Sequence, residues 1–392
     1  MTQAIQIAKD VYWVGAIDWD VRDFHGYKTE QGTSYNAYLI LDEKITLIDC
    51  VKPGFEQQLL DRIASVIDPR KIDIIISNHS EPDHSGSLPV LRKLLPNAKL
   101  YTAQGSGVKD LAGYYGDLNY EGVKAGSSLN IGKRTLQFVP TPMVHWPDNM
   151  VTYMTPDNIL FSNDAFGQHY ASYAMLDTQN NLGEVYHQAK KYYANIVQPY
   201  VLPTKKALEV VDTLKVSMVC PSHGIIWTKH FNEILKLYHD WTSNVYDNTA
   251  SIVYDTMWRS SEMMAQAIAD GYLKAGLTPK LFNLRHYHIS DVIAETMQNK
   301  YMAIGSPTLN RNMLPTVASF MAYFAGLNGY EREVVVFGSY GWSGQSVPQI
   351  EKIVLESNCK LSLPAIQLQY KPSREQLEEI TNNVAASILK TK

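Results

Sequence analysis

Between residue 11 and about residue 224, short apolar runs alternate with polar, turn-rich segments. The runs at 38–41, 45–48, 72–76, 136–139, 159–161 and 216–219 are β-rich and bounded by Asp, Gly, Pro or Asn, which predicts strands. Helical spacing enters between some of them. Phe55, Leu59, Leu60, Ile63 and Val66 fall on one stripe over 55–66, and 88–95 begins another. This half therefore predicts a layered α/β unit with long loops after its strands.

The grammar becomes regular further on. A helix is predicted over 231–241, and the polar stretch 242–248 reads as a linker. Strands at 251–254, 281–284, 301–304, 334–337 and 365–368 each precede a helical pattern, at 261–275, 291–298, 314–324, 347–356 and 373–389. Five such repeats predict an open, doubly wound parallel sheet with helices on both faces. Ligands of such sheets sit beyond the carboxyl ends of the strands, near the switch point. The expected division is 1–247 and 248–392.

Composition narrows the class. The 392 residues suit two or three domains at roughly 150 residues each. Lys+Arg is 35 and Asp+Glu is 39, a net charge of −4 that offers no footprint for nucleic acid or anionic lipid. Hydrophobic residues at 45% exclude a disordered chain. No run reaches the roughly 18 apolar residues of a membrane span, and the start lacks a signal-peptide pattern. A soluble cytoplasmic protein is expected. Cys50, Cys220 and Cys359 lie far apart without a C-x-x-C, which excludes a disulfide framework, a thiolate zinc knot and an internal rubredoxin-type centre.

The strand at 72–76 runs into Asn78-His79-Ser80-Glu81-Pro82-Asp83-His84. Four potential ligands within six residues would lose hydration or repel one another unless a cation offsets them. A lone histidine is usually structural, but this cluster reverses that presumption. His145, Asp164 and His223 each follow a strand in the same manner, so all seven groups can converge at one sheet edge. Four imidazoles and three carboxylates exceed one tetrahedral ion and suit two ions, with Asp164 as the bridge. Zinc tolerates such ligands, whereas a third carboxylate and no thiolate favour a harder, redox-capable ion such as iron.

A second constellation lies in the other half. Thr256, Met257, Trp258, Arg259, Ser260 and Ser261 join the first strand to its helix, an arrangement that makes a phosphate pocket from hydroxyls and free N–H groups. Neither G-x-x-x-x-G-K-[ST] nor G-x-G-x-x-G is present, which disfavours nucleoside triphosphates and dinucleotides. Ser306, Pro307, Thr308, Leu309 and Asn310 follow the third strand, and Ser339, Tyr340, Gly341, Trp342, Ser343 and Gly344 the fourth. These small residues let the backbone approach a flat polar ring, and Trp342 is a candidate to stack on it.

The strand followed by H-x-E-x-D-H and then separated His, Asp and His resembles the metallo-β-lactamase fold, an αββα sandwich. Glu81, where its hydrolytic members usually carry histidine, resembles the flavodiiron proteins, also called A-type flavoproteins. The likeness spans essentially the whole chain, including Arg22 to Gly26, His145-Trp146-Pro147-Asp148 and Asp164-Ala165-Phe166-Gly167. It implies two non-haem irons. One is held by His79, Glu81 and His145, the other by Asp83, His84 and His223, with Asp164 between them. It also implies that His25 and Tyr193 line a gas pocket. The three later segments resemble the FMN loops of flavodoxins, with Ser261 in a place where threonine is common. The implied activity is reduction of O2 to water, of NO to N2O, or both. Electrons would come from a separate donor such as rubredoxin. The implied assembly is a head-to-tail homodimer or a dimer of dimers. His169 receives no role, and His187, His230, His239, His286 and His288 are read as surface or structural. The rival readings are a zinc metallohydrolase fused to a flavodoxin-like electron-transfer domain, and an electron carrier with a structural metal.

Overall fold

The computed structural model describes residues 2–328 and 330–391. The chain divides into two compact units, Met1–Tyr193 with Tyr200–Thr242 and Ala194–Pro199 with Ser243–Lys392. Among the described residues no helix is long and apolar enough to cross a membrane.

The first unit is built on two sheets. The larger orders its strands Ile5–Ala8, Val11–Trp13, Tyr38–Ile40, Thr46–Ile48, Ile74–Ser77, Lys99–Ala103 and Tyr120–Val123. The smaller orders Ser128–Asn130, Thr135–Pro140, Met150–Thr155, Ile159–Asn163 and Met218–Pro221. Alternation along the strands divides their side chains between two layers. Ile48, Ile74 and Ile76 face inward and meet Phe138, Met150 and Phe161 of the other sheet. Leu47 and Ile75 face outward onto Leu59, Ile63, Leu91 and Leu111 of the covering helices. Each such burial contributes about 1.5–3 kcal/mol, so a one-residue slip of register would undo both layers at once.

The expected αββα sandwich is therefore present, with differences at its margins. Helices Ser106–Tyr115, Leu182–Tyr192 and Val201–Val211 lie in segments where the apolar spacing predicted none. The strand expected at 216–219 runs Met218–Pro221, two residues later.

The second unit carries the parallel sheet that the repeats predict, with its strands in the order Thr278–Asn283, Thr249–Tyr254, Tyr301–Gly305, Arg332–Tyr340 and Cys359–Leu361. Ile366–Gln369 continues the last position by pairing with the far end of Arg332–Tyr340. The fifth strand is thus split, and only its second part was expected. Thr278–Asn283 starts three residues before the expected 281–284, because an edge strand presents Thr278 and Lys280 to solvent and loses its apolar signature. Met264, Ile268 and Tyr272 of helix Ser260–Lys274 pack with Ile380, Val384 and Ile388 of helix Arg374–Thr391 on one face of this sheet.

Candidate metal centre and flavin loops

All seven proposed ligands sit at strand ends of the first unit. After Ile74–Ser77 the chain passes His79 and Glu81, and Pro82 opens the short helix Pro82–Ser85. Proline suits that first turn because its missing N–H would have had no partner there. The immediate reversal places Asp83 and His84 beside His79. His145 follows Thr135–Pro140, Asp164 ends Ile159–Asn163, and His223 follows Met218–Pro221. Gly224, at φ 77°, makes the last approach possible, since a Cβ there would lie 1.8 Å from Gln168 Oε1.

The ligands fall into two groups. His79, Glu81, His145 and Asp164 offer atoms all within 4.8 Å of one another, as do Asp83, His84 and His223. Asp164 faces both. Its Oδ2 is 3.4 Å from His145 Nε2 and 3.6 Å from His79 Nε2, while its Oδ1 is 3.1 Å from His84 Nε2 and 3.7 Å from His223 Nε2. His84 thus turns inward like the other ligands. Buried polar atoms at this point lack hydrogen-bond partners: His79 Nε2, His84 Nε2, both oxygens of Asp83 and Asp164 Oδ2. Buried polar groups left unpaired are costly, and a pair of cations between the two groups satisfies all of them. The donor set fits two metal ions.

Charge tells the same story. Burial disfavours charging His79, His84 and His145, yet the surrounding carboxylates lift them to about 10, 9 and 10. Burial likewise opposes ionisation of Glu81 and Asp164, but neighbouring imidazoles hold both carboxyls well below their ordinary range. Without metal the cluster must gather protons to balance its carboxylates. Divalent ions replace those protons and leave the imidazoles neutral, as ligation requires.

Neighbouring groups aim the ligands. Asp148, fully buried, accepts from His79 Nδ1 at 3.0 Å and from the Ser80 N–H at 2.6 Å. The Ser34 carbonyl accepts from His223 Nδ1 at 2.8 Å. With both Nδ1 hydrogens committed, the Nε2 lone pairs point into the cluster. The Tyr192 hydroxyl donates to Asp164 Oδ1 at 3.0 Å.

His25 and Gly26, at φ 55° and 83°, form the tip of a hairpin between Asp23–Phe24 and Tyr27–Lys28. Two consecutive positive φ values suit the right-handed twist of a two-residue hairpin. This tip brings His25 Nε2 to 3.4 Å from Glu81 Oε1, with the ring still largely open to solvent. Tyr193 lies elsewhere: its ring packs on Tyr238 and Trp241, with centroids 5.1 and 4.9 Å away. The tyrosine that reaches the cluster is its neighbour Tyr192. His169, unassigned from sequence, is buried with its ring 4.8 Å from that of His223 and its Nδ1 2.8 Å from Thr33 Oγ1. Neither Tyr192 nor His169 had a distinguishing signal, whereas Asp148 was already visible in His145-Trp146-Pro147-Asp148.

The flavin segments occupy strand ends of the second unit. Arg259, at φ 68°, turns the chain into helix Ser260–Lys274, whose N-terminus has no side-chain cap. Thr256 Oγ1 is buried there without a partner, and Trp258 stands 90% exposed. Open N–H groups and an orphaned hydroxyl fit a phosphate. Ser261 Oγ lies 3.1 Å from Ser339 Oγ and ties this turn to the loop after the fourth strand. Ser306 and Thr308 turn their hydroxyls inward. Ser306 Oγ accepts from the Leu314 N–H, and Thr308 Oγ1 meets Ser346 Oγ at 2.9 Å. Leu309 and Asn310 form part of a small hairpin between Thr308–Leu309 and Asn312–Met313. Tyr340, Trp342, Ser343 and Gly344 line a surface pocket of about 560 Å³, to which the 256–261 and 306–310 loops do not contribute.

Sequence reading passed over Asp255. Its carboxylate accepts from the Thr256 N–H, from Arg285 Nε and from Thr316 Oγ1, each at 2.6 Å. One buried side chain thereby fastens the segments that follow three strands.

Fold and site define a redox protein that joins a metallo-β-lactamase-like unit to a flavodoxin unit. The family models agree: ODP family beta lactamase matches residues 33–224 and Flavodoxin matches residues 252–383. A nitric oxide reductase of Moorella thermoacetica is 39% identical over 99% of this chain and 100% of its own. An anaerobic nitric oxide reductase flavorubredoxin of Pectobacterium atrosepticum is 37% identical over 95% of this chain and 75% of its own. Rubredoxin oxygen:oxidoreductase from Desulfovibrio gigas superposes with a TM-score of 0.95 at 36% identity, covering 99% of this chain and 98% of that one. The flavodiiron protein of Giardia intestinalis gives 0.95 at 34%, covering 99% and 96%. The chain belongs to the flavodiiron proteins, a family of nitric oxide and oxygen reductases, and is an oxidoreductase.

Proposed function

We propose that residues 1–247 hold two non-haem irons, that residues 248–392 hold FMN, and that the protein reduces O2 to water, NO to N2O, or both. The observation that carries the reading is Asp164, whose two oxygens face two separate ligand groups. By this reading His79, Glu81 and His145 hold one iron, and Asp83, His84 and His223 the other. Thr256, Ser260 and Ser261 hold the phosphate, and the loops at 306–310 and 339–344 flank the ring. When bound, FMN would supply one-electron transfer, and a pair of irons would supply a redox-active binding place for a diatomic gas. Four electrons and four protons convert O2 to two waters, whereas two of each convert two NO to N2O and water.

The chain's own residues bind and orient. Asp148 and Ser34 fix the imidazoles of His79 and His223, and Tyr192 fixes the bridging carboxylate. His25, on Glu81 at the open side, is placed to exchange protons with solvent: its hydrogen bond to Glu81 raises its pKa against the opposing effect of burial. Electrons come from a separate donor of the rubredoxin type, and a head-to-tail homodimer brings each flavin to the partner's irons. The names of several relatives, nitric oxide reductases and a rubredoxin oxygen:oxidoreductase among them, favour this over zinc hydrolysis.

The test is anaerobic reduction of metal-quantified protein, followed by parallel O2 and NO consumption. Turnover of at least one gas, with about two irons and one FMN per chain, is expected. Two zinc ions per chain and no gas consumption would restore the hydrolase. Gel filtration showing an active monomer would remove the dimer.

A further inference from the structure

Beside the turns that carry His145 and Asp164 lies a small, partly enclosed apolar cavity of about 20 Å³. Its walls include Val144 and Ala165, the chain neighbours of those two ligands, with Leu160, Phe166, Leu208 and Val211. By this measure it holds about one water-sized guest. Water needs two to four polar partners, and the surface that the lining presents to this space is apolar. Ser162 Oγ donates to the Ala165 carbonyl at 2.7 Å, and Thr204 Oγ1 donates to the Tyr200 carbonyl at 2.8 Å. The Tyr238 oxygen is engaged by the Phe166 N–H at 2.8 Å. Cavities of this kind stay dry and take apolar guests such as xenon.

We propose that this cavity is a holding site for the diatomic substrate, O2 or NO, behind the metal cluster. The identity of the guest rests on the function proposed above. A small, weakly hydrated gas partitions into such a space more favourably than water does, and so accumulates one residue away from two ligands. Ala207, half-buried on helix Val201–Val211, is one of the lining residues and is not a metal ligand, so a larger side chain there tests the space by filling it.

The experiment is xenon pressurisation of crystals of the holoenzyme, combined with gas-consumption kinetics of Ala207→Leu and the milder Ala207→Val. Xenon between Leu160, Phe166 and Leu208 in the wild-type protein is expected, and its loss in Ala207→Leu. The KM for the gas should rise about threefold or more, with kcat, metal content and FMN content unchanged. If Ala207→Leu does not fold, Ala207→Val should show the same changes at smaller amplitude. Absence of xenon from the wild-type cavity overturns the proposal, as does an unchanged KM in a folded, filled variant. A holoenzyme that consumes neither gas refutes the parent function and with it the guest, whereas xenon occupancy reports on the cavity alone.

Discussion

Asp148→Asn puts the orientation of the cluster to a quantitative test. Asp148 faces two donors, the Ser80 N–H at 2.6 Å and His79 Nδ1 at 3.0 Å, and a carboxylate accepts from both. Asparagine offers one oxygen and one NH2 group. Both donors meet Oδ2, so the asparagine oxygen takes that place and the NH2 takes the place of Oδ1, 3.1 Å from His79 Nδ1. The imidazole then faces one neutral acceptor and one donor in place of a charged pair of oxygens, which weakens the hold on the tautomer that keeps Nε2 free for the metal. Loss of such an outer partner weakens metal binding about 10- to 100-fold, or about 1.4–2.8 kcal/mol. The assay is a competitive chelator titration that follows metal per chain alongside the thermal melt. The variant is expected to release the ion at His79, Glu81 and His145 at a chelator concentration that leaves wild-type protein loaded. The ion at Asp83, His84 and His223 should persist. Two ions retained within twofold of wild-type affinity, in a folded protein, would refute the tautomer argument.

Asp164→Ala should abolish gas consumption while yellow FMN stays bound; loss of colour together with activity would indicate global collapse. Tyr192→Phe removes a hydrogen bond to a buried carboxylate, a contribution of about 1.5–3 kcal/mol, and should slow turnover about tenfold or more. Tyr193→Phe, which keeps the packing on Tyr238 and Trp241, is the comparison, and a larger effect there would reverse the assignment. Metal-free protein should lose stability as pH rises. His79, His84 and His145 are lifted from 6.5 to about 10, 9 and 10, so their contribution is complete below pH 6.5 and gone by about pH 10. Thermal melts of chelated and loaded protein across that range check it, and equal slopes would exclude it. Asp255→Asn should weaken FMN binding about tenfold through the loss of charge opposite Arg285, measured by titrating FMN into apoprotein. Unaltered affinity would confine Asp255 to a purely local role.

Periodicity was informative where a segment has one buried and one solvated side. Helix Glu56–Ala64 buries Leu59 and Ile63 along the stripe that spacing predicts. The missed helices obscure that signal. Helix Leu182–Tyr192 buries Gln188 and Lys191, with Lys191 Nζ 2.6 Å from Glu30 Oε2, so residues that read as a solvated face lie inside. Helix Val201–Val211 leaves Leu202 and Val210 exposed and blurs the stripe from the other side. In both cases tertiary partners, which no local window contains, decide which face is covered.

The ligands were legible for a different reason. Seven groups with little use outside a cation site recur at the same point after successive strands, and a two-sheet topology gathers those points at one edge. Their supporting residues follow no such rule. A tyrosine can serve as core or as donor, and the choice between Tyr192 and Tyr193 turns on one step along a helix, about 100° of rotation. Tyr192, the last residue of Leu182–Tyr192, points at Asp164, while the next residue meets Tyr238 and Trp241. That angle depends on where the helix is seated. Metal-binding side chains announce themselves by type, but their orienting partners are defined only by direction, which the packed structure supplies.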